Sequence, residues 1–204
     1  MTTPCSRLRF CLLIGLAALA PIARSAVTVG QPAPDFSLVD LNGQAHRLSD
    51  FRGKTVVLEW TNPECPIVGK HYRSGNMPSL QKSATADGVV WLAINSSHPG
   101  SFGDFPPARV AEWLKSHGAA PTEYLRDPDG SVGHLYGAHA TPDMFVITPS
   151  GTLIYAGAID SIPSADEADI AHATNYVRAA LNSLKAGQPV AVPTSRPYGC
   201  AIKY

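Results

Sequence analysis

The chain has 204 residues, with 16 basic and 16 acidic side chains and a formal net charge of zero. That balance, and the absence of any basic stripe, exclude nucleic acid as a partner. The length allows one well-filled domain and hardly two.

Arg7 and Arg9 precede an almost unbroken apolar run from Phe10 to Ala20, and small residues follow around Ala23-Arg24-Ser25-Ala26. This is the pattern of a secretory signal peptide over residues 1–26, its apolar part too short for a bilayer-spanning helix of about 20 residues. Cys11 lies inside the run, which argues against a lipidated cysteine. Cleavage removes three basic residues and no acidic one, so about 178 residues would remain with a charge of −3. The mature protein is expected to be soluble and periplasmic or secreted, with no stable membrane association. It would keep two cysteines, Cys65 and Cys200, in an oxidising compartment.

The stretch GQPAPDFSLVD opens the domain, with Phe36, Leu38 and Leu41 near strand spacing and a turn at Leu41-Asn42-Gly43-Gln44. TVVLEW (55–60) and VVWLAI (89–94) are continuous apolar runs, the mark of strands covered on both faces. Residues 66–86 between them read as helix, broken near Gly75 and Pro78. A second helix runs from Ala108 to His117 with Gly118 as its stop. MFVIT (144–148) and LIYA (153–156) flank Pro149-Ser150-Gly151 as a hairpin. Residues 166–185 read as one long helix, with Ile170, Val177, Leu181 and Leu184 on one face and Gly187 ending it. The order predicts an α/β fold: a mixed central sheet with helices on both faces. The domain is expected to span 27–187, followed by a Pro-rich tail, 188–204, that carries Cys200.

Cys65 ends the loop after a central strand, and Pro66 suits the first position of the next helix. Cys65 then sits at the N-cap, where unpaired N–H groups and the helix dipole stabilise a thiolate, the form that attacks disulfides and peroxides. Glu64 next door opposes that charge. Lys70 is expected to turn away from Cys65 as a surface residue, and His71, where it is not the same, to lend positive potential.

The motifs GQPAPDFSLVD and LRDPDGSVGHLYGAHATPDMFVITPSGTLIYAGAID resemble the redoxin branch of the thioredoxin superfamily, the alkyl hydroperoxide reductase/thiol-specific antioxidant group. ECPIVGKHY and the ending YGCAIKY are similar to its peroxiredoxin-like subgroup, and the resemblance covers residues 28–204. It implies a thioredoxin-like fold in which Cys65 matches the first cysteine of the thioredoxin pair and Val68 stands in place of the second. It implies a cis-proline loop at Thr141-Pro142 facing Cys65, with backbone groups of Thr141 free to pair with an extended partner. It also implies a buried acid, Glu59, that relays a proton to the sulfur. The Pro and Thr or Ser that precede a peroxidatic cysteine are replaced by Leu58 and Asn62.

The second sulfur can come from the tail. Pro189, Pro193 and Pro197 favour an extended path, and at about 3.1 Å per residue the stretch from Gln188 to Cys200 reaches roughly 37 Å. A domain of this size has a radius of gyration of roughly 16 Å, so Cys200 can be carried to Cys65. Three outcomes stay open: a redox-active Cys65–Cys200 pair, a structural staple worth several kcal/mol in the chain-entropy model, and no pairing. His134 and His139 flank Pro142, but no close cysteine pair accompanies them and no metal or other cofactor is expected. The favoured reading is an exported thiol-disulfide oxidoreductase with Cys65 as nucleophile, Cys200 as resolving cysteine, Glu59 as helper, and Pro66, Thr141 and Pro142 at the substrate. Its partners would be protein or small-molecule thiols and disulfides. An atypical peroxidase and a non-catalytic binding module with a structural disulfide are the alternatives.

Overall fold

The first strand, β1 (Ser37–Asp40), turns back into β2 (Ala45–Arg47). Asp40 Oδ1 closes that turn by accepting from the N–H groups of Asn42 at 2.8 Å and Gln44 at 2.9 Å. The computed structural model describes residues 27–204, and the expected signal peptide, residues 1–26, lies outside the described residues.

The two apolar runs form β3 (Val56–Trp60) and β4 (Val90–Asn95), buried at every position as strands covered on both faces must be. Between them lie α1 (Pro66–Arg73) and α2 (Asn76–Ala86). The break falls at Gly75, whose φ of +76° is open to glycine at little cost. Pro78 sits in the first turn of α2, where its missing N–H has no helical partner to lose, and does not interrupt the helix. After α3 (Pro107–Ser116) come β5 (Glu123–Arg126), α4 (Ser131–Tyr136), β6 (Ala140–Thr141), β7 (Asp143–Ile147) and β8 (Leu153–Gly157). The chain ends with α5 (Tyr176–Lys185) and β9 (Cys200–Ala201).

The expected helix over 166–185 is two pieces. A 3-10 segment, Glu167–Ala171, precedes α5, and Asn175 caps α5 by accepting from Arg178 N at 2.9 Å. Asn175 also bridges to Asp160, so backbone pairing and cap together break the helix where the apolar spacing alone runs through.

Seven strands form one sheet in the order β2-β1-β5-β4-β3-β7-β8. β3, β4 and β5 are parallel, while β1 and β7 add antiparallel to either side. Alternation along β3 splits the core. Val56, Leu58 and Trp60 pack with Val132 and Tyr136 of α4, whereas Val57 shares a cluster with Cys65 and with residues of α1, α2 and α5, Val68 among them. Glu59 shares the second face, and Cys65 lies just beyond the C-terminal end of β3, where a parallel sheet presents its crevice.

Residues 188–204 are a strap laid over the domain. Ala156 N donates to Pro193 O and Ser195 N to Ala156 O, both at 3.1 Å, along the free edge of β8. Gly157 lets the strap approach: a Cβ there would collide with the Ser195 carbonyl. The strap then pairs as β9 with β6 in antiparallel register, Thr141 opposite Cys200 and Ala140 opposite Ala201. Its end is fixed by His98 N donating to Lys203 O at 2.7 Å and by Tyr204, which stacks on His134 of α4 at 3.9 Å and hydrogen-bonds the Ala138 carbonyl.

Candidate functional site

Cys65 is the N-cap of α1, extended at φ −68°, ψ 123°, with Pro66 opening the helix behind it. Only 1% of the residue is exposed. Its thiol donates to the Thr141 carbonyl at 3.1 Å, and the Cys200 N–H points at the sulfur from 3.4 Å. Cys65 and Cys200 are both free thiols, and Cys200 packs against the buried cluster that includes Cys65.

Burial acts on both sulfurs, with opposite results. At Cys65 it works against the thiolate, yet hydrogen bonds from the Cys200 thiol, the Thr141 side chain and the Val68 and Cys200 N–H groups outweigh it and hold the thiol below its ordinary value. The first turn of α1 contributes through Val68 without a formal side-chain cap bond. At Cys200 burial comes first, and donation to Cys65 and the nearby thiolate charge add to it, pushing the thiol up to about 12 against a small opposing effect of Lys203. One sulfur is poised to ionise and the other to stay protonated.

Thr141–Pro142 is a cis peptide bond, and it sits directly against Cys65. The backbone of Thr141 is not free, because β9 of the same chain pairs with it. Glu64 turns away from the sulfur: its Oε2 accepts from Gly103 N at 2.6 Å, and Asn62 Nδ2 bonds Phe102 O at 3.1 Å, bolting the loop before Cys65 to residues 102–103. Val68, in place of a second thioredoxin cysteine, is buried apolar packing.

Lys70 and His71 correct the expectation of surface residues: both are 0% exposed. The strap covers them. Lys70 Nζ donates to Ser164 O at 2.8 Å and lies 6.0 Å from the Tyr198 ring. His71 is held neutral, its value lowered to about 4 by burial against the opposing pull of Asp160, so it lends no positive charge to Cys65. Its Nε2 faces Tyr198 Oη at 3.3 Å.

Glu59 is fully buried and accepts from Tyr72 Oη at 2.8 Å, Trp91 Nε1 at 2.8 Å and Gln81 Nε2 at 3.0 Å. Burial keeps its carboxyl above the usual range despite those donors. These contacts reach α1 through Tyr72 rather than through the sulfur, so the expected proton relay has no hydrogen bond to Cys65 to rest on. Asp143, directly after Pro142, was not singled out in the sequence. It is buried, and desolvation raises it to about 7.

A groove of about 460 Å³ borders the strap, lined by His139, Pro163, Arg196, Tyr198, Gly199 and Ala201. A second cavity of about 400 Å³ lies between α2 and α5, at the opposite end of β3 from Cys65. His134 is engaged with Tyr204, and His139 Nδ1 bonds Gly137 O at 3.1 Å. Asp40, His46 and Glu123 offer ligand atoms within 4.8 Å of one another, but the Asp40 oxygens already serve Asn42, Gln44 and His46. Among the described residues no helix is long and apolar enough to cross a membrane.

A β-α-β core, a cysteine at the start of the helix after its central strand and a cis-proline loop against that cysteine define a thioredoxin-like protein. Comparison with known proteins agrees. The sequence model of the AhpC/TSA family matches residues 29–156, and the chain belongs to that family. It is 37% identical over 135 residues to the thiol-disulfide oxidoreductase ResA of Geobacillus thermodenitrificans, covering 63% of this chain and 68% of the relative. A hypothetical protein from Sinorhizobium meliloti 1021 superposes with a TM-score of 0.73 at 27% identity, covering 88% of this chain and 96% of that one. An uncharacterized conserved protein from Geobacillus kaustophilus gives a TM-score of 0.73 at 26% identity, with 87% and 92% covered.

Proposed function

We propose that this protein is an exported thiol-disulfide oxidoreductase in which Cys65 is the nucleophile and Cys200, delivered by the strap, is the resolving cysteine. The observation that carries the reading is the strand pairing of Thr141 with Cys200, which brings the Cys200 N–H to 3.4 Å from the Cys65 sulfur. The name of the ResA relative points to the same chemistry.

In the reductive direction β9 first lifts from β6 to uncover the buried sulfur, and the Cys65 thiolate then attacks one sulfur of a partner disulfide. That S–S bond breaks, a mixed disulfide forms at Cys65, and the other partner sulfur leaves and takes up a proton. Cys200 owes part of its raised value to the Cys65 thiolate. Once Cys65 is covalently engaged that charge is gone, so the Cys200 thiol ionises more readily at the step that needs it. Its thiolate attacks the Cys65 sulfur, the second partner thiolate departs, and the two electrons given to the partner leave a Cys65–Cys200 disulfide. An external thiol closes the cycle by reducing it; run backwards, the same steps oxidise a dithiol. Thr141 and Pro142 frame the attacked sulfur, Pro66 starts the helix that polarises it, and Glu59 pins α1 through Tyr72.

The test is a thiol-disulfide equilibrium with mass-spectrometric mapping of the sulfurs. A reversible Cys65–Cys200 bond with a potential above about −300 mV supports the reading. A bond below that range marks a structural staple, and peroxide consumption lost in Cys65→Ser marks a peroxidase.

A further inference from the structure

The strap segment that carries Cys200 is held by a directed chain of hydrogen bonds that the chemistry above does not use. Asn76, at the start of α2, places Nδ2 at 2.8 Å from His71 Nδ1. An amide nitrogen only donates, so Nδ1 is the acceptor and the neutral ring carries its proton on Nε2. That N–H faces Tyr198 Oη at 3.3 Å, and the Tyr198 hydroxyl donates in turn to Asp160 Oδ1 at 2.6 Å. Asp160 Oδ1 is itself fixed by Ile162 N at 3.1 Å. His71 and Asp160 are buried, so withdrawing Tyr198 would leave the imidazole N–H without a hydrogen bond, 3.9 Å from Asp160 Oδ2, and leave Asp160 Oδ1 with Ile162 N alone. Tyr198 lies two residues before Cys200, and Gly199 between them is the point of closest approach to Thr141.

We propose that Tyr198 is the positioning residue of the site: the Asn76–His71–Tyr198–Asp160 chain latches the strap so that Cys200 is presented to Cys65 and external reagents are kept from the sulfur. The proposal rests on the reading of Cys65 and Cys200 as a pair and adds what sets their effective concentration. With the latch closed, Cys200 is already in register with Thr141 and little freedom remains to be lost when the sulfurs bond. With it open, the strap hangs from its β8 contacts and the disulfide becomes easier to reduce.

The experiment uses the full mature chain and Tyr198→Phe, which keeps the ring and removes the hydroxyl. In glutathione buffers the equilibrium constant for the Cys65–Cys200 disulfide is expected to fall roughly tenfold or more in the variant, the scale of a buried hydrogen bond to a charged group. In a Cys200→Ser background, alkylation of Cys65 by iodoacetamide is expected to rise about tenfold with Tyr198→Phe and about threefold with Asn76→Ala, the substitution to use where Tyr198→Phe does not fold. Arg196→Ala, an exposed change on the same strap, should alter neither quantity. Equal values for Tyr198→Phe and the parent, or an Arg196→Ala effect as large as that of Tyr198→Phe, overturn the latch. The alkylation measurement does not depend on the pair being redox-active, so loss of the pairing hypothesis and loss of the latch give different results.

Discussion

Gly199 passes so close to the Thr141 carbonyl that a Cβ built on it would overlap the oxygen, and its φ of +137° is one that L side chains rarely adopt. The strap therefore reaches Cys65 only because residue 199 has no side chain. Gly199→Ala is expected to lift β9 off β6, cost about 1–3 kcal/mol of stability, and reduce the yield of the Cys65–Cys200 disulfide under mild oxidation at least severalfold. Chemical denaturation and thiol mapping read both. A variant with parental stability and pairing would refute the requirement for close approach.

The Cys65 thiol is stabilised as an anion against the penalty of its burial, with the Cys200 thiol the largest of the favourable contributors. Cys200→Ala removes that donor and keeps the backbone N–H. The pH midpoint for alkylation of Cys65 should then lie below the ordinary thiol value in the parent and move upward in Cys200→Ala. An unchanged midpoint would mean that the helix start and the backbone donors alone account for the reactivity.

Cys65-Pro66 was legible in the sequence because an N-cap and its following proline are local, and the strap was legible as reach because proline spacing sets extension. The burial of Lys70 and His71 was not, since it depends on distant segments: Ser164, whose carbonyl lies 2.8 Å from Lys70 Nζ, and Tyr198, whose hydroxyl lies 3.3 Å from His71 across 127 positions of the chain. On α1 alone those two residues belong to a solvated face. The short β5 and α4 escaped for the opposite reason: four and six residues carry too little periodicity to stand out, and their places are set by pairing with β4 and by Asp127, which accepts from the N–H groups of Val132 and Gly133 at the start of α4. Glu59 was identified as a buried acid, but which donors meet it depends on how α1, α2 and β4 converge.

Asp143 makes stability depend on pH. Desolvation lifts its carboxyl from 3.8 to about 7, against weaker opposing effects of the His139 N–H and side chain and the Met144 N–H. The native state thus keeps a proton that the unfolded chain releases, so the stabilisation is complete below about pH 4 and is lost as pH rises towards 7. The upper bound of that loss is about 4 kcal/mol. Asp143→Asn stays neutral throughout, and its urea-unfolding free energy is expected to fall less than the parent's between pH 4 and pH 8. Parallel pH profiles for the two proteins would rule out a protonated Asp143.

Glu59 joins three elements through one carboxylate: Tyr72 on α1, Gln81 on α2 and Trp91 on β4. Burial still outweighs those donors and favours the neutral form, so the contribution of Glu59 is present below about pH 4.5 and declines as pH rises. Two substitutions separate architecture from proton transfer. Glu59→Ala strands the buried Tyr72 and Trp91 donors, leaves Gln81 Nε2 with Tyr72 Oη alone, and should cost about 3–5 kcal/mol. Glu59→Gln keeps the shape and one acceptor while avoiding a buried charge, and should cost no more than about 1.5 kcal/mol. If Glu59 acts by holding α1 in place, Glu59→Gln leaves the alkylation midpoint of Cys65 where it was, since Thr141, Val68 and Cys200 still surround the sulfur. A displaced midpoint in a fully folded Glu59→Gln protein would restore the proton relay and remove the purely positional role assigned to this acid.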